Sequence, residues 1–89
     1  MRLAHRNTRA RLATVLLELV DRFGEPKEGE VAIEMRLPHL MLAEMTASSR
    51  VGVSKEMARF RREGVIKTQD KSQIVLLDQP RLAQTTANK

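Results

Sequence analysis

Leu42-Ala43-Glu44-Met45-Thr46-Ala47-Ser48-Ser49-Arg50-Val51-Gly52-Val53-Ser54-Lys55-Glu56-Met57-Ala58-Arg59-Phe60-Arg61-Arg62-Glu63-Gly64 is the stretch that decides the fold. Val53, Met57 and Phe60 recur at i, i+4 and i+7, so one side of a helix faces a core. Val51, Lys55, Ala58 and Arg62 fall on the opposite side, flanked by Ser54, Arg59 and Arg61. Ser48 or Ser49 can cap the start of this helix and Gly64 closes it, which gives a span of about 49–63. Ahead of it, Leu42 and Met45, with Leu40 or Met41, give a two-turn helix an apolar face, and Pro38 suits that helix's first turn. The short helix stops near Thr46-Ala47-Ser48, a three-residue turn. A short helix, a tight turn and a longer basic helix make a helix-turn-helix.

Outward from this motif, Leu12, Val15, Leu16, Leu19, Val20 and Phe23 form a second 3.6-period stripe, which predicts an amphipathic helix with a core-facing side. Asn7 or Thr8 caps it, and Gly24 with Pro26 ends it. Residues 25–30 read as a polar turn. Val31, Ile33, Met35 and Leu37 alternate with other residues, which predicts a strand over 31–37. Val65–Thr68, a polar turn and Gln73–Leu77 predict a hairpin over 65–77, placed as a wing behind the basic helix. Pro80 opens a last helix from Arg81 to about Thr86. The fold class expected is mainly α with a small β-hairpin wing (α+β), a winged helix-turn-helix. It divides into a basic segment over 1–8, the domain over 9–83 and a frayed tail over 84–89.

Composition narrows what such a domain does. At 89 residues there is room for one thin core. With no Cys there is neither a disulfide nor a thiolate metal site, which fits a reducing cytosol and a cytoplasmic location. Two Phe with no Trp or Tyr leave little to stack on unpaired bases. No apolar run approaches the roughly 20 residues that span a bilayer, so no membrane partner is expected. The net charge is +5, which favours a polyanion. Residues 1–22 contribute +3, 23–49 contribute −3, and 50–71 contribute +4. The larger excess therefore falls on the longer helix and its wing.

That placement favours duplex DNA. A helix fits the major groove with its N-terminal residues at base edges. Ser48, Ser49 and Ser54 are small enough for close approach and can bond phosphate. Arg50 and Lys55 lie where a donor reaches guanine O6 and N7. Enzyme readings fail on inventory. His5 and His39 lack partners for a metal site, the Ser48-Ser49 pair has no base at motif spacing, and the glycines form no phosphate loop, so no cofactor is expected.

Leu42-Ala43-Glu44-Met45 followed by Ser48-Ser49-Arg50-Val51-Gly52-Val53-Ser54-Lys55 resembles the helix-turn-helix of the cyclic-AMP receptor protein / fumarate–nitrate regulator (Crp/Fnr) family. Phe60-Arg61-Arg62-Glu63-Gly64-Val65-Ile66 is similar to the end of that family's recognition helix. Arg11-Leu12-Ala13 through Leu16-Leu17-Glu18-Leu19 and Phe23-Gly24 is similar to its first helix, so the match covers about residues 9–83. The resemblance implies transcription regulation in bacteria through a palindromic operator, with RNA polymerase as a further partner. By position, Arg50, Val51 and Lys55 are the candidates for base contact. His39, Ser48, Ser49, Ser54, Arg59, Arg62, Lys67, Lys71 and Ser72 are the candidates for the DNA backbone. Ala47 stands where the family has a turn Gly, which requires that this position avoid the strain of φ > 0. The family's sensing barrel and dimerisation helix have no counterpart in residues 1–8, so a fragment or a stand-alone module is expected. On its own it should be a monomer or weak dimer, and any parent protein a homodimer.

Two other functions compete. Leu40, Met41 and Val51 stand where a DNA reader prefers polar groups, which suits a winged-helix protein-interaction module. Charge alone could also hold nucleic acid or an anionic membrane without specificity.

Overall fold

The computed structural model describes residues 7–69 and 73–86. In chain order the elements are α1 (Thr8–Phe23), β1 (Gly24–Lys27), β2 (Glu30–Ile33), α2 (His39–Thr46), α3 (Arg50–Arg62), β3 (Ile66–Gln69), β4 (Gln73–Leu76) and α4 (Gln79–Thr86). The strands form one antiparallel sheet in the order β1-β2-β4-β3. The three N-terminal helices pack on one another, and α4 lies along α1.

The core is where the helical stripes meet the sheet. Leu12, Leu16 and Leu19 of α1, Val53, Met57 and Phe60 of α3, Ile33, Ile66, Ile74 and Leu76 of the strands, and Leu82 of α4 are buried in one cluster. Phe60 is the largest fully buried side chain, so its residue anchors α3 to the body. The expected stripe of α1 is corrected at one edge. Val15 and Val20 are half-buried and Phe23 is exposed, while Ala10 and Ala13 are buried instead. The stripe is therefore narrower and tilted toward the smaller side chains.

The polar turn expected over 25–30 is instead a strand and a tighter turn. Gly24–Lys27 pairs with β2 from Gly24↔Ile33 to Lys27↔Glu30, leaving only Glu28 and Gly29 to turn. Both have positive φ, 51° and 83°, as a two-residue primed hairpin turn requires. The expected 31–37 strand is correspondingly shorter. It starts at Glu30 and stops at Ile33, after which the chain bends and buries Leu37 from a loop. The wing is thus not a free hairpin: β4 pairs with β3 on one side and β2 on the other.

In the helix-turn-helix, α2 buries Leu42, Ala43 and Thr46, whereas Met45, expected in the core, is exposed. Thr46 satisfies its hydroxyl on Leu42 O at 2.8 Å, so a polar residue fills the core-facing turn at little cost. Pro38 is the cap of α2 rather than a residue of its first turn. Of the two serines, Ser49 caps α3, accepting from Gly52 N at 2.9 Å. α4 starts two residues earlier than expected and continues through residues 84–86.

Both motif helices end in the same way. The Ser48 N–H bonds to Ala43 O at 2.9 Å after α2, and the Val65 N–H to Phe60 O at 3.0 Å after α3, each a six-to-one closure around a left-handed residue. After α3 that residue is Gly64, at φ 75°. After α2 it is Ala47, at φ 52° and ψ 43°, so the position does adopt the conformation its side chain should avoid. Ala47→Gly should accordingly stabilise the fold by about 0.5–1 kcal/mol, the left-handed strain outweighing the added chain entropy. The midpoint of urea unfolding reads this directly. A lower midpoint would mean that the turn does not hold this backbone.

Candidate nucleic-acid interface

The exposed side of α3 follows from the three residues that bury the other side. With Val53, Met57 and Phe60 inward, Val51, Lys55 and Arg62 stand outward, and Val51 is 78% exposed. Arg50 is exposed in the first turn. Arg50, Lys55, Arg61 and Arg62 make no ion pair among the described residues. One helix thus carries four cations that the described carboxylates leave unneutralised. Arg50 also stands at the helix end where a cation opposes the dipole, an arrangement that an anion would offset.

The remaining charges of α3 are spent inside the molecule. Arg9 Nη2 donates to Glu63 Oε1 at 2.6 Å, and Nη1 lies 3.6 Å from Glu56 Oε1. The same guanidinium sits over the Phe60 ring, 4.3 Å from its centroid. Arg9's hydrogen bond, ahead of its charge and those of Arg59 and Arg81, holds the Glu63 carboxyl below its ordinary pKa despite partial desolvation. The support that this lends the fold is present above the ordinary carboxylate pKa and is lost as pH falls through the lowered value. Arg59 pairs with Glu56 at 3.2 Å, so it is an engaged cation.

The serines differ in what they touch. Ser48 Oγ accepts from Thr8 Oγ1 at 3.2 Å and Arg11 Nη2 at 3.0 Å, and donates to Thr46 O at 3.2 Å. Arg11 Nε also donates to Thr46 O at 2.7 Å. The first turn of α1 is thereby tied to the turn of the motif through Thr8 and Arg11, and to the far end of α3 through Arg9. Ser54 Oγ lies 2.7 Å from His39 Nδ1, joining α3 to the start of α2. Burial first, then Arg61 and then Arg50, lowers the His39 pKa.

Gly52 faces the junction of α1 with the start of α3 rather than the exposed side of α3. A Cβ there would lie 3.0 Å from Ser49 Oγ and 3.8 Å from Thr8 Oγ1. In the wing, Lys67 is 3.3 Å from Glu30 of β2. Lys71 and Ser72, the other wing candidates, lie outside the described residues, as does His5.

The sequence placed Arg61 on the flank of α3 without making it a candidate for DNA contact, and it gave no sign of the Arg9 contacts. Arg61 follows Arg50 by about three helical turns, so the period alone puts both on one side. Arg9 offers no such signal, since its partners are far away in sequence. Among the described residues, no group of three or more His, Asp or Glu lies together as a metal ion requires. No helix there is long and apolar enough to cross a membrane.

The three-helix core, the capped α2–α3 turn and the sheet behind α3 define a winged helix-turn-helix of the DNA-binding class. A sequence profile of the Crp-like helix-turn-helix domain matches residues 10–85, and the chain belongs to that family of DNA-binding domains. It is 34% identical over 73 residues to the regulatory protein CysR of Synechococcus elongatus, covering 79% of this chain and 35% of that one. It is 36% identical over 64 residues to the global nitrogen regulator of the same organism, covering 72% and 29%. Among solved structures, a CRP/FNR-family transcriptional regulator from Thermus thermophilus superposes with a TM-score of 0.82 at 31% identity, covering 97% of this chain and 43% of that one. The chain spans about a third of the length of the curated relatives.

Proposed function

We propose that the chain binds duplex DNA sequence-specifically, with α3 in the major groove and the β3–β4 wing on the backbone. The observation that carries this is the set of cations on the outward side of α3 that pair with no described carboxylate: Arg50, Lys55, Arg61 and Arg62. Arg50 and Lys55 read guanine edges, and Val51 offers an apolar contact to a thymine methyl. Arg62 meets phosphate with a group engaged by no described carboxylate, whereas His39, Ser48, Ser49, Ser54 and Arg59 meet it while sharing contacts they already make within the chain. The operator is palindromic and the parent protein a cytoplasmic homodimer, with RNA polymerase as a further partner. A salt titration tests this with a candidate palindrome and a scrambled duplex side by side. Both affinities should fall with salt at similar slopes, with the palindrome tighter throughout. Equal affinities would leave only charge-driven binding.

The wing adds phosphate contacts. Replacing Lys67 and Lys71 together by Ala should lower affinity for all sequences alike and reduce the salt slope by up to about 2, near 0.9 for each phosphate no longer neutralised. Glu30 already neutralises part of Lys67, so Glu30→Gln should tighten binding to both duplexes. An unchanged slope in the double variant would place the wing away from DNA.

A second function, a protein-interaction module, is favoured by exposed apolar groups on the two motif helices. Leu40 is 53% exposed and Met41 37%, both on α2, and Val51 of α3 is 78% exposed. Sequence-independent DNA binding together with self-association through α2 would support it over operator recognition.

A further inference from the structure

His39 is the first residue of α2, and the cap before it, Pro38, makes no side-chain hydrogen bond to the first-turn amides. No acidic residue stands in that turn. The ring is fixed between two helices by the 2.7 Å contact of Nδ1 with Ser54 Oγ, and Nε2 makes no hydrogen bond among the described residues. The charged groups acting on it from α3 are Arg61 and Arg50, and Arg36 is exposed on the loop before Pro38. In the free chain burial first, then Arg61 and Arg50, disfavour the charged ring and hold its pKa below the ordinary imidazole value.

A phosphodiester at this end of α2 changes the balance. Its negative charge offsets Arg50 and Arg61 and gives Nε2–H an acceptor. The imidazolium then donates from both nitrogens, to Ser54 Oγ and to phosphate. A neutral ring can make both contacts as well, with Ser54 donating to Nδ1. What protonation adds is the charge, which strengthens the bond to phosphate.

We propose that DNA binding by this chain takes up a proton on His39, held between the α2 N-terminus and Ser54, so that affinity rises as the medium becomes more acidic. This rests on the assignment of α2 and α3 to the DNA face. The sign follows from linkage. Binding raises the ring's pKa, so the gain is complete below the free-chain value and is lost as pH rises through the bound value. Each unit of that rise is worth about tenfold in affinity. Phosphate carries no sequence information, so palindromic and scrambled duplexes gain alike.

Anisotropy titrations of the 89-residue chain against both labelled duplexes, at constant ionic strength, test this at about pH 5.5, 6.5 and 7.5, the range of imidazole titration. Binding should tighten by about three- to tenfold from the highest to the lowest pH, reflecting half to one unit of pKa rise. H39Q should abolish the trend, and H5Q, at the other histidine, should keep it. In the wild type, the His39 ring titration read by NMR should move to higher pH when duplex is added, which needs no variant to fold. A trend retained in H39Q or lost in H5Q, or a His39 midpoint that does not rise, overturns the proposal. Operator-specific binding that is flat with pH overturns it while leaving DNA recognition intact. No duplex binding at any pH overturns both.

Discussion

Arg50→Ala is expected to weaken binding to a specific duplex by about 1–3 kcal/mol, or roughly 5- to 150-fold, and to relax the preference at one guanine. A forked guanidinium bonds O6 and N7 of guanine together, a pattern no other base pair offers in the major groove. Arg50 has the position for this, exposed in the first turn of α3 and engaged by no carboxylate among the described residues. It is also dispensable for the fold, so its loss should leave the unfolding midpoint nearly unchanged. Competition between operator and scrambled duplex separates base reading from phosphate contact. Equal losses on both would show that Arg50 only touches phosphate.

The larger expected effect comes from linking two copies. Two recognition helices reading a palindrome stand about 34 Å apart, one turn of DNA. Met1–Asn7 and the exposed Leu40 and Met41 offer no heptad stripe long enough for a stable coiled coil. The chain alone should therefore sediment as a monomer or weak dimer at micromolar concentration and hold a half-site weakly. A parallel coiled coil fused ahead of Asn7 leaves the cap of α1 in place, where the Asn7 side chain accepts from Ala10 N. Such a fusion should tighten binding to a two-half-site duplex by about a hundredfold or more, but binding to a single half-site hardly at all. Sedimentation of the unfused chain as a stable dimer would contradict this and would move attention to Leu40 and Met41.

What could be read in the sequence is what periodicity controls. Val53, Met57 and Phe60 fixed the inward side of α3, and with it the outward side that carries the candidate site, because burial at a 3.6-residue period leaves few orientations. β1 was hidden because its pairing is made by backbone. Glu25, Pro26 and Lys27 are exposed side chains on an edge strand, and nothing apolar alternates there. Met45 misled because a short helix has too few positions to fix its phase, and Thr46 could be buried by bonding its own backbone. The Arg9 contacts with Glu63 and Phe60 join positions more than half the chain apart, and no local pattern encodes them. Ala47 was legible as a point of tension, since a turn that needs a left-handed residue carries a side chain there.

The central claim, sequence-specific recognition through α3, is tested most directly by selecting duplexes from a random pool with the coiled-coil-linked chain. The expected result is enrichment of two inverted half-sites about one helical turn apart, each with a guanine whose preference disappears when Arg50→Ala is selected in parallel. Recovery of duplexes no different from the input pool, or the same motif from the Arg50→Ala chain, would contradict it.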